Sequence, residues 1–245
     1  MSITIETIPF LNLALAFIPA FVAIGILYKW SISAGNALYA MARMLVQLLL
    51  IGYFLAYIFG ASNSLIVVIV LIVMVFSASW ISLRTLSEQR WSLFKYALAA
   101  ILLAGGSTLI LVTQGVLNLE PWYKPQFMVP LAGMIFANAM NSISLAGDRL
   151  QAELERGSSY KDARNIALHT SNIPLMNMLF AVGLVSLPGM MTGQILSGVS
   201  PLIAVRYQIL VMCMVFGSSV IAVACFLVWA RPVFEKKQAN NSLEN

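Results

Sequence analysis

Long apolar runs separated by short polar interruptions make up almost the whole chain, and the length of each run decides what it forms. The first, Ile8 to Tyr28, holds 21 residues, and as a helix it reaches about 30 Å, the thickness of a bilayer's hydrocarbon core. Comparable runs follow at Met44 to Phe59, Ser64 to Leu83, Tyr96 to Leu117, Met128 to Gly147, Ile173 to Ser197 and Pro201 to Trp229. The pattern predicts an all-α polytopic membrane protein of about seven transmembrane helices. Most interruptions are short: Ser31 to Ala42 before Arg43 opens the second run, Gly60 to Asn63, and Arg84 to Lys95. Asn118 to Phe127 carries Trp122 and Tyr123 between two prolines, which suits a loop at headgroup level. Asp148 to Ser171 is the only long hydrophilic stretch in the interior. Residues 1–230 read as one membrane domain that contains this loop, and residues 231–245 as a polar cytoplasmic tail expected to be mobile.

Two runs carry internal breaks. Pro19 predicts a kink in the first. The sixth reads VGLVSLPGMMTGQILSG over Val182 to Gly198, with Pro188 and Gly189 near its middle, and both weaken a helix. In lipid a freed backbone group needs a partner, so such a break is tolerated where protein or a water-lined cavity covers it. Gly189, Gly193 and Ser197 follow at intervals of four, a smooth face for close packing. The stretch reads either as a kinked, tightly packed helix, continuous or in two halves, or as a moving element that lines a pathway. Met190, Met191 and Gln194 would then face the path.

Composition agrees with the pattern: 60% of the 245 residues are hydrophobic and 9% charged, far from the balance of a soluble domain. Met1 to Thr7 contains Glu6 and no Lys or Arg, unlike the basic start of a secretory signal, so the first run is expected to be retained. The net charge of +5 is scattered between apolar runs, which argues against a nucleic-acid partner. Its placement reports topology. With the N-terminus outside and the C-terminus cytoplasmic, Lys29, Arg43, Arg84, Arg90, Lys95, Arg149, Arg156, Lys161, Arg164, Arg231, Lys236 and Lys237 all face the cytoplasm, leaving Lys124 and Arg206 outside. Cys213 and Cys225 share one run, twelve residues apart, and read as buried free thiols.

The runs carry little ionisable chemistry. No Asp, Glu or Lys lies in the middle of a run, and the lone histidine, His169, falls in the long loop. This argues against a proton relay at membrane depth, and the absence of HExxH argues against an intramembrane metalloprotease. No catalytic residue, cofactor site or metal site is placed. Methionines recur in the last three runs; thioethers suit Cu(I) and suit ferric iron poorly, and adaptable packing is the preferred reading. In the fifth run Gly133, Ala137, Asn141 and Ser144 share one helix face, with Asn138 beside it. The stripe serves either as a packing seam with hydrogen bonds or as a wall offering amide and hydroxyl groups to a solute.

The long loop looks like two short amphipathic helices around Gly157-Ser158-Ser159, with Leu150 and Leu154 on one apolar edge and Ala163, Ile166 and Ala167 on the other. It reads as a solvated hairpin or as a docking element. For docking, Gln151-Ala152-Glu153 followed by three residues and Gly157 approximates the EAA-x3-G pattern of importer-type ABC permeases, with Gln and Glu replacing two positions and Arg164 beyond the turn.

RMLVQLLLIGYFLAYIF (Arg43 to Phe59), GMIFANAMNSISLAGDRL (Gly133 to Leu150), the Val182 to Gly198 block and SPLIAVRYQILVM (Ser200 to Met212) together resemble the FetB/YbbM family of ABC permeases, which includes plant STAR-type and aluminium-sensitivity permeases. The resemblance covers roughly Arg43 to Trp229. Family members commonly read Gly-Asn-Ala-Met where this chain has Ala137 to Met140, and Leu-Gly-Ala-(Thr/Ser) where it has Arg156 to Ser159. What the resemblance implies is an inner-membrane permease subunit, working as a homodimer with a separate ATPase that binds ATP and Mg. The bacterial association is iron export, and plant relatives are linked to nucleotide sugars. Independently, no GxxxxGKS or GxxxxGKT loop occurs here, so the chain has no P-loop of its own to cradle ATP phosphates. A channel or ATP-independent carrier would use the same polar stripe without a docking hairpin; a membrane adaptor would need the hairpin and no pathway.

Overall fold

The computed structural model describes residues 8–60 and 63–244. Among these residues the regular structure is all helical, with one isolated backbone bridge between Val182 and Ser186. Six stretches are helical, long and apolar enough to cross a membrane: Leu11–Lys29, Ala34–Leu55, Ser64–Ser82, Ser87–Val116, Pro125–Glu155 and Pro201–Trp229. The chain divides into two compact units, one N-terminal up to Ser62 with Leu196–Gly198, the other Asn63–Ile195 with Val199–Asn245.

In the N-terminal unit, α1 (Phe10–Leu15) and α2 (Ile18–Lys29) are separated at Ala16 and Phe17. The separation places Pro19 in the first turn of α2, where its missing N–H costs nothing. Next comes α3 (Ala34–Gly60). The connector is shorter than Ser31 to Ala42: Ser31 takes a positive φ of 55° to turn the chain, and the run Ala37 to Ala42 is made of residues that do not stop a helix. Arg43 therefore lies within α3 instead of at its start.

The larger unit holds α4 (Ser64–Ser82), α5 (Arg90–Ile110), α6 (Pro125–Glu155), α7 (Tyr160–Ala181), α8 (Gly189–Leu196), α9 (Pro201–Trp229) and α10 (Arg231–Glu244). Helix α6 is its centre, packing against α4, α5, α7 and α9. Small buried residues permit that approach, with Ala132, Ala139 and Ala146 on α6 and Ala97, Ala100 and Ala104 on α5 fully shielded. A Cβ placed on Gly105 would stand 2.9 Å from Cε1 of Phe136, so glycine is required at that crossing. Asn63 caps α4 by accepting from the Leu65 N–H at 2.9 Å. The α4–α5 corner is closed by Arg90, which donates to the Trp80 carbonyl through Nε at 3.1 Å and Nη2 at 2.6 Å while its guanidinium lies 3.9 Å from the Trp80 ring centroid. Helix α5 ends in a π turn, Leu111–Val116, where the Leu117 N–H reaches back to the Val112 carbonyl at 2.9 Å.

The sixth run lies in two halves, one of the alternatives that the sequence leaves open: α7 stops at Ala181 and α8 starts at Gly189. Two sequence expectations change. The long loop is not a pair of short helices but the continuous ends of α6 and α7, meeting at a turn of Arg156 to Ser159. The tail is wound into α10, because Phe234 is buried edge-on against Phe226 at 6.5 Å and Lys237 bonds Glu88 at 2.8 Å.

Candidate functional site

The α6–α7 turn is built by its glycine. Gly157 has φ +88°, a left-handed conformation that L side chains resist, and open space where a Cβ would go. The Gly157 N–H donates to the Leu154 carbonyl at 3.0 Å and the Ser158 N–H to the Glu153 carbonyl at 3.1 Å, the paired bonds of a Schellman end. Ser159 then starts α7, its hydroxyl accepting from the Asp162 N–H at 3.2 Å.

Beneath the turn, Glu153 is buried between two arginines. Its Oε1 lies 2.7 Å from Nη2 of Arg149 and 2.9 Å from Nη1 of Arg156, and Oε2 accepts from the Ser158 hydroxyl at 3.3 Å. The hairpin residues singled out from sequence thus divide into two sets. Leu150, Glu153, Leu154 and Ala163 face inward and hold the hairpin together. Gln151 and Arg164 are half-buried and Gly157 exposed, which leaves them available to a partner.

A second anchor carried no sequence signal. The Tyr160 hydroxyl donates to the Leu227 carbonyl at the far end of α9, and the Arg231 guanidinium stands 5.3 Å from its ring. Burial, with the nearby Glu235 carboxylate, pushes the phenol up to about 12. Residues 67 apart meet there; nothing in the local pattern marks a tyrosine at a helix start as a clamp.

On α6, Ala137 and Asn141 are exposed and Gly133 and Ser144 half-buried, so the stripe is a face that the other helices of the larger unit leave open. Asn138 turns inward along its own helix, its Nδ2 donating to the Met134 carbonyl at 2.8 Å.

The break in the sixth run is centred on Gly183, whose φ of +84° reverses the chain. The knuckle satisfies itself: Gly183 N–H donates to Ser186 at 2.9 Å, and Val185 and Ser186 both donate to the Ala181 carbonyl, at 2.8 and 3.2 Å. Its side chains point away, with Leu184 90% and Val185 85% exposed. Pro188 ends the break and opens α8, accepting from the Thr192 N–H at 3.0 Å, so the proline starts a helix instead of kinking one. Gly189 and Gly193 have open space around their Cα atoms, and Ser197 lies past the end of α8. Met190 and Met191 are half-buried, and the Gln194 amide oxygen is buried. Between the knuckle, α8 and α9 lies a cavity of about 290 Å³ whose lining includes Gly183, Met191, Gln208 and Met212.

Residues 10–234 match the family described as Uncharacterised protein family (UPF0014). The chain belongs to this family. Among UPF0014 relatives, the chain is 37% identical over 199 residues to "UPF0014 membrane protein slr1647" of Synechocystis sp., covering 74% of this chain and 76% of that protein. It is 31% identical over 239 residues to "Probable iron export permease protein FetB" of Escherichia coli, covering 90% of each. It is also 31% identical over 235 residues to "Protein ALUMINUM SENSITIVE 3" of Arabidopsis thaliana, covering 88% of this chain and 84% of that one. No solved structure matches the chain. The UPF0014 match extends over α1 to α9 and into α10, so the hairpin, the open α6 face and the broken run all lie within the family's common region.

Proposed function

We propose that this UPF0014 protein is the membrane-spanning permease subunit of an ABC transporter that exports metal ions, iron in the first instance, using ATP hydrolysed by a separate subunit. The observation that carries the proposal is the match over nine-tenths of both chains to a protein named as a probable iron export permease. The fold supplies a reason for the coupling. Helix α6 has 31 residues, about 46 Å at roughly 1.5 Å per residue, more than a bilayer core needs. Its surplus runs into the hairpin, which ends in a turn exposing Gly157 beside half-buried Gln151 and Arg164.

In this reading the hairpin seats on the ATPase in the cytoplasm, the N-terminus lies outside, and the six long helices are joined by the broken sixth run as a seventh, partial crossing of the inner membrane. Two copies face each other across the α6 stripe, with Gly133, Asn138, Asn141 and Ser144 along the path. ATP-driven closure moves α6 and α7, and the knuckle at Gly183 with Pro188 and Gly189 takes up the motion.

The test is to express the chain with and without a candidate ATPase, measure co-purification and ATP turnover, and titrate metal ions and nucleotide sugars. A stable complex with metal-stimulated turnover supports the reading. Failure to bind any ATPase would direct attention to the α6 stripe as a passive pathway. Gly157→Val is expected to lose the ATPase while still inserting in the membrane; normal co-purification of this variant counts against docking at the turn.

A further inference from the structure

The methionines and cysteine that look like packing residues in the sequence are brought together at the cavity behind the knuckle. On α9, Gln208 and Met212 stand one turn apart with Cys213 next to Met212, and all three line the cavity, as does Met191 from α8. Gln208 is only 6% exposed, it lines the cavity, and its Oε1 has no hydrogen-bond partner among the described residues. A buried amide oxygen without a partner is costly in an otherwise apolar wall, which gives the position a use beyond packing.

From this lining we infer that the cavity is a binding site for a soft monovalent metal ion of the Cu(I) or Ag(I) kind, held by the sulfurs of Met191, Met212 and Cys213 with the Gln208 amide oxygen beside them. Thioether and thiol sulfur select soft ions, whereas hard cations call for carboxylate or several carbonyl oxygens. No Asp, Glu or His is in the lining. At about 290 Å³ the cavity exceeds a bare ion, and methionine, with three rotatable bonds, has room to swing its sulfur inward. Met212 is buried and Cys213 exposed, so the donors run from the interior to the surface. The site is defined by binding to this chain alone and stands apart from the ABC reading.

The experiment uses the full chain, purified under reducing conditions in detergent and in lipid nanodiscs, with Ag(I) as a redox-inert probe and competition against a Cu(I) chelator. Binding of one ion per chain is expected, weakened about tenfold or more by Met191→Leu, by Met212→Leu and by Cys213→Ser. Cys225→Ser, outside the cavity, should leave it unchanged. Leucine keeps the volume of methionine and removes only the sulfur, so the variants should fold, as checked by elution and thermal unfolding, and an apolar occupant would not distinguish them. The inference is overturned if the wild-type chain binds no Ag(I), if all cavity variants bind as wild type, or if Cys213→Ser alone abolishes binding while both leucine variants retain it, since a lone thiol would then explain the uptake.

Discussion

At the residue scale, the hairpin turn rests on one glycine and one carboxylate. Gly157→Ala forces a Cβ into the left-handed region and is expected to cost about 1–2 kcal/mol, read as a lower midpoint of thermal or denaturant unfolding. Space is not the cause, since nothing lies within 4 Å. Glu153→Ala leaves Arg149 and Arg156 facing each other without their common partner, and a loss of about 2 kcal/mol is expected. The arginines are 38% and 64% exposed, which keeps the figure below that of a fully buried pair. Tyr160 gives a pH dependence. Its folded pKa, about 12, lies above the ordinary 10, so the folded state holds the proton more tightly than the unfolded chain. The stabilisation is complete below about pH 10 and disappears as pH approaches about 12. Tyr160→Phe should remove that alkaline slope and cost about 1 kcal/mol near neutrality, checked by unfolding at a series of pH values. Gly157 was legible as a turn, but Glu153 as a buried centre and Tyr160 as a clamp depend on what lies across the fold.

At the element scale, two glycines in the transmembrane bundle predict opposite outcomes. Gly105→Ala meets the Phe136 ring at 2.9 Å and Cγ2 of Ile135 at 3.0 Å; a rigid ring on a packed helix cannot easily yield, and a loss of about 1–3 kcal/mol is expected. Gly133→Ala meets only the tip of Met74, at 3.4 Å, so the gain in helix propensity should leave stability equal or slightly higher. If the α6 face lines a path, the same change lowers transport, separating function from folding in one variant.

The helices themselves were legible because runs of apolar residues set both their existence and their length. Boundaries were less so. Arg43 reads as the start of a span, yet a charge at a helix surface does not stop a helix, and α3 begins at Ala34. Pro188 reads as the breaker, yet proline is at ease beside a first turn, and Gly183 makes the reversal. The tail reads as polar, but Phe234 finds Phe226 and the chain continues as a helix.

At the scale of the whole molecule, the larger unit is organised around α6, which touches α4, α5, α7, α9 and α10. Family membership and a membrane bundle are both legible in the sequence, because long apolar runs and sequence blocks are local properties. The sulfur-lined cavity was not, since it draws on α8, α9 and the knuckle, which only the fold brings together.

One feature of α6 has a mechanical consequence. From Pro125 to Glu155 it is a single uninterrupted rod, even across Pro130, with the hairpin at one end and Asn138 and Asn141 near its midpoint. Such a rod behaves as a lever. Pivoting about its middle, a tilt of about 5° carries each tip roughly 2 Å, given an arm of about 23 Å from the helical rise. A push at the hairpin would therefore arrive at Asn138 and Asn141 as rotation with little sliding, without a soft joint along the way to absorb the stroke.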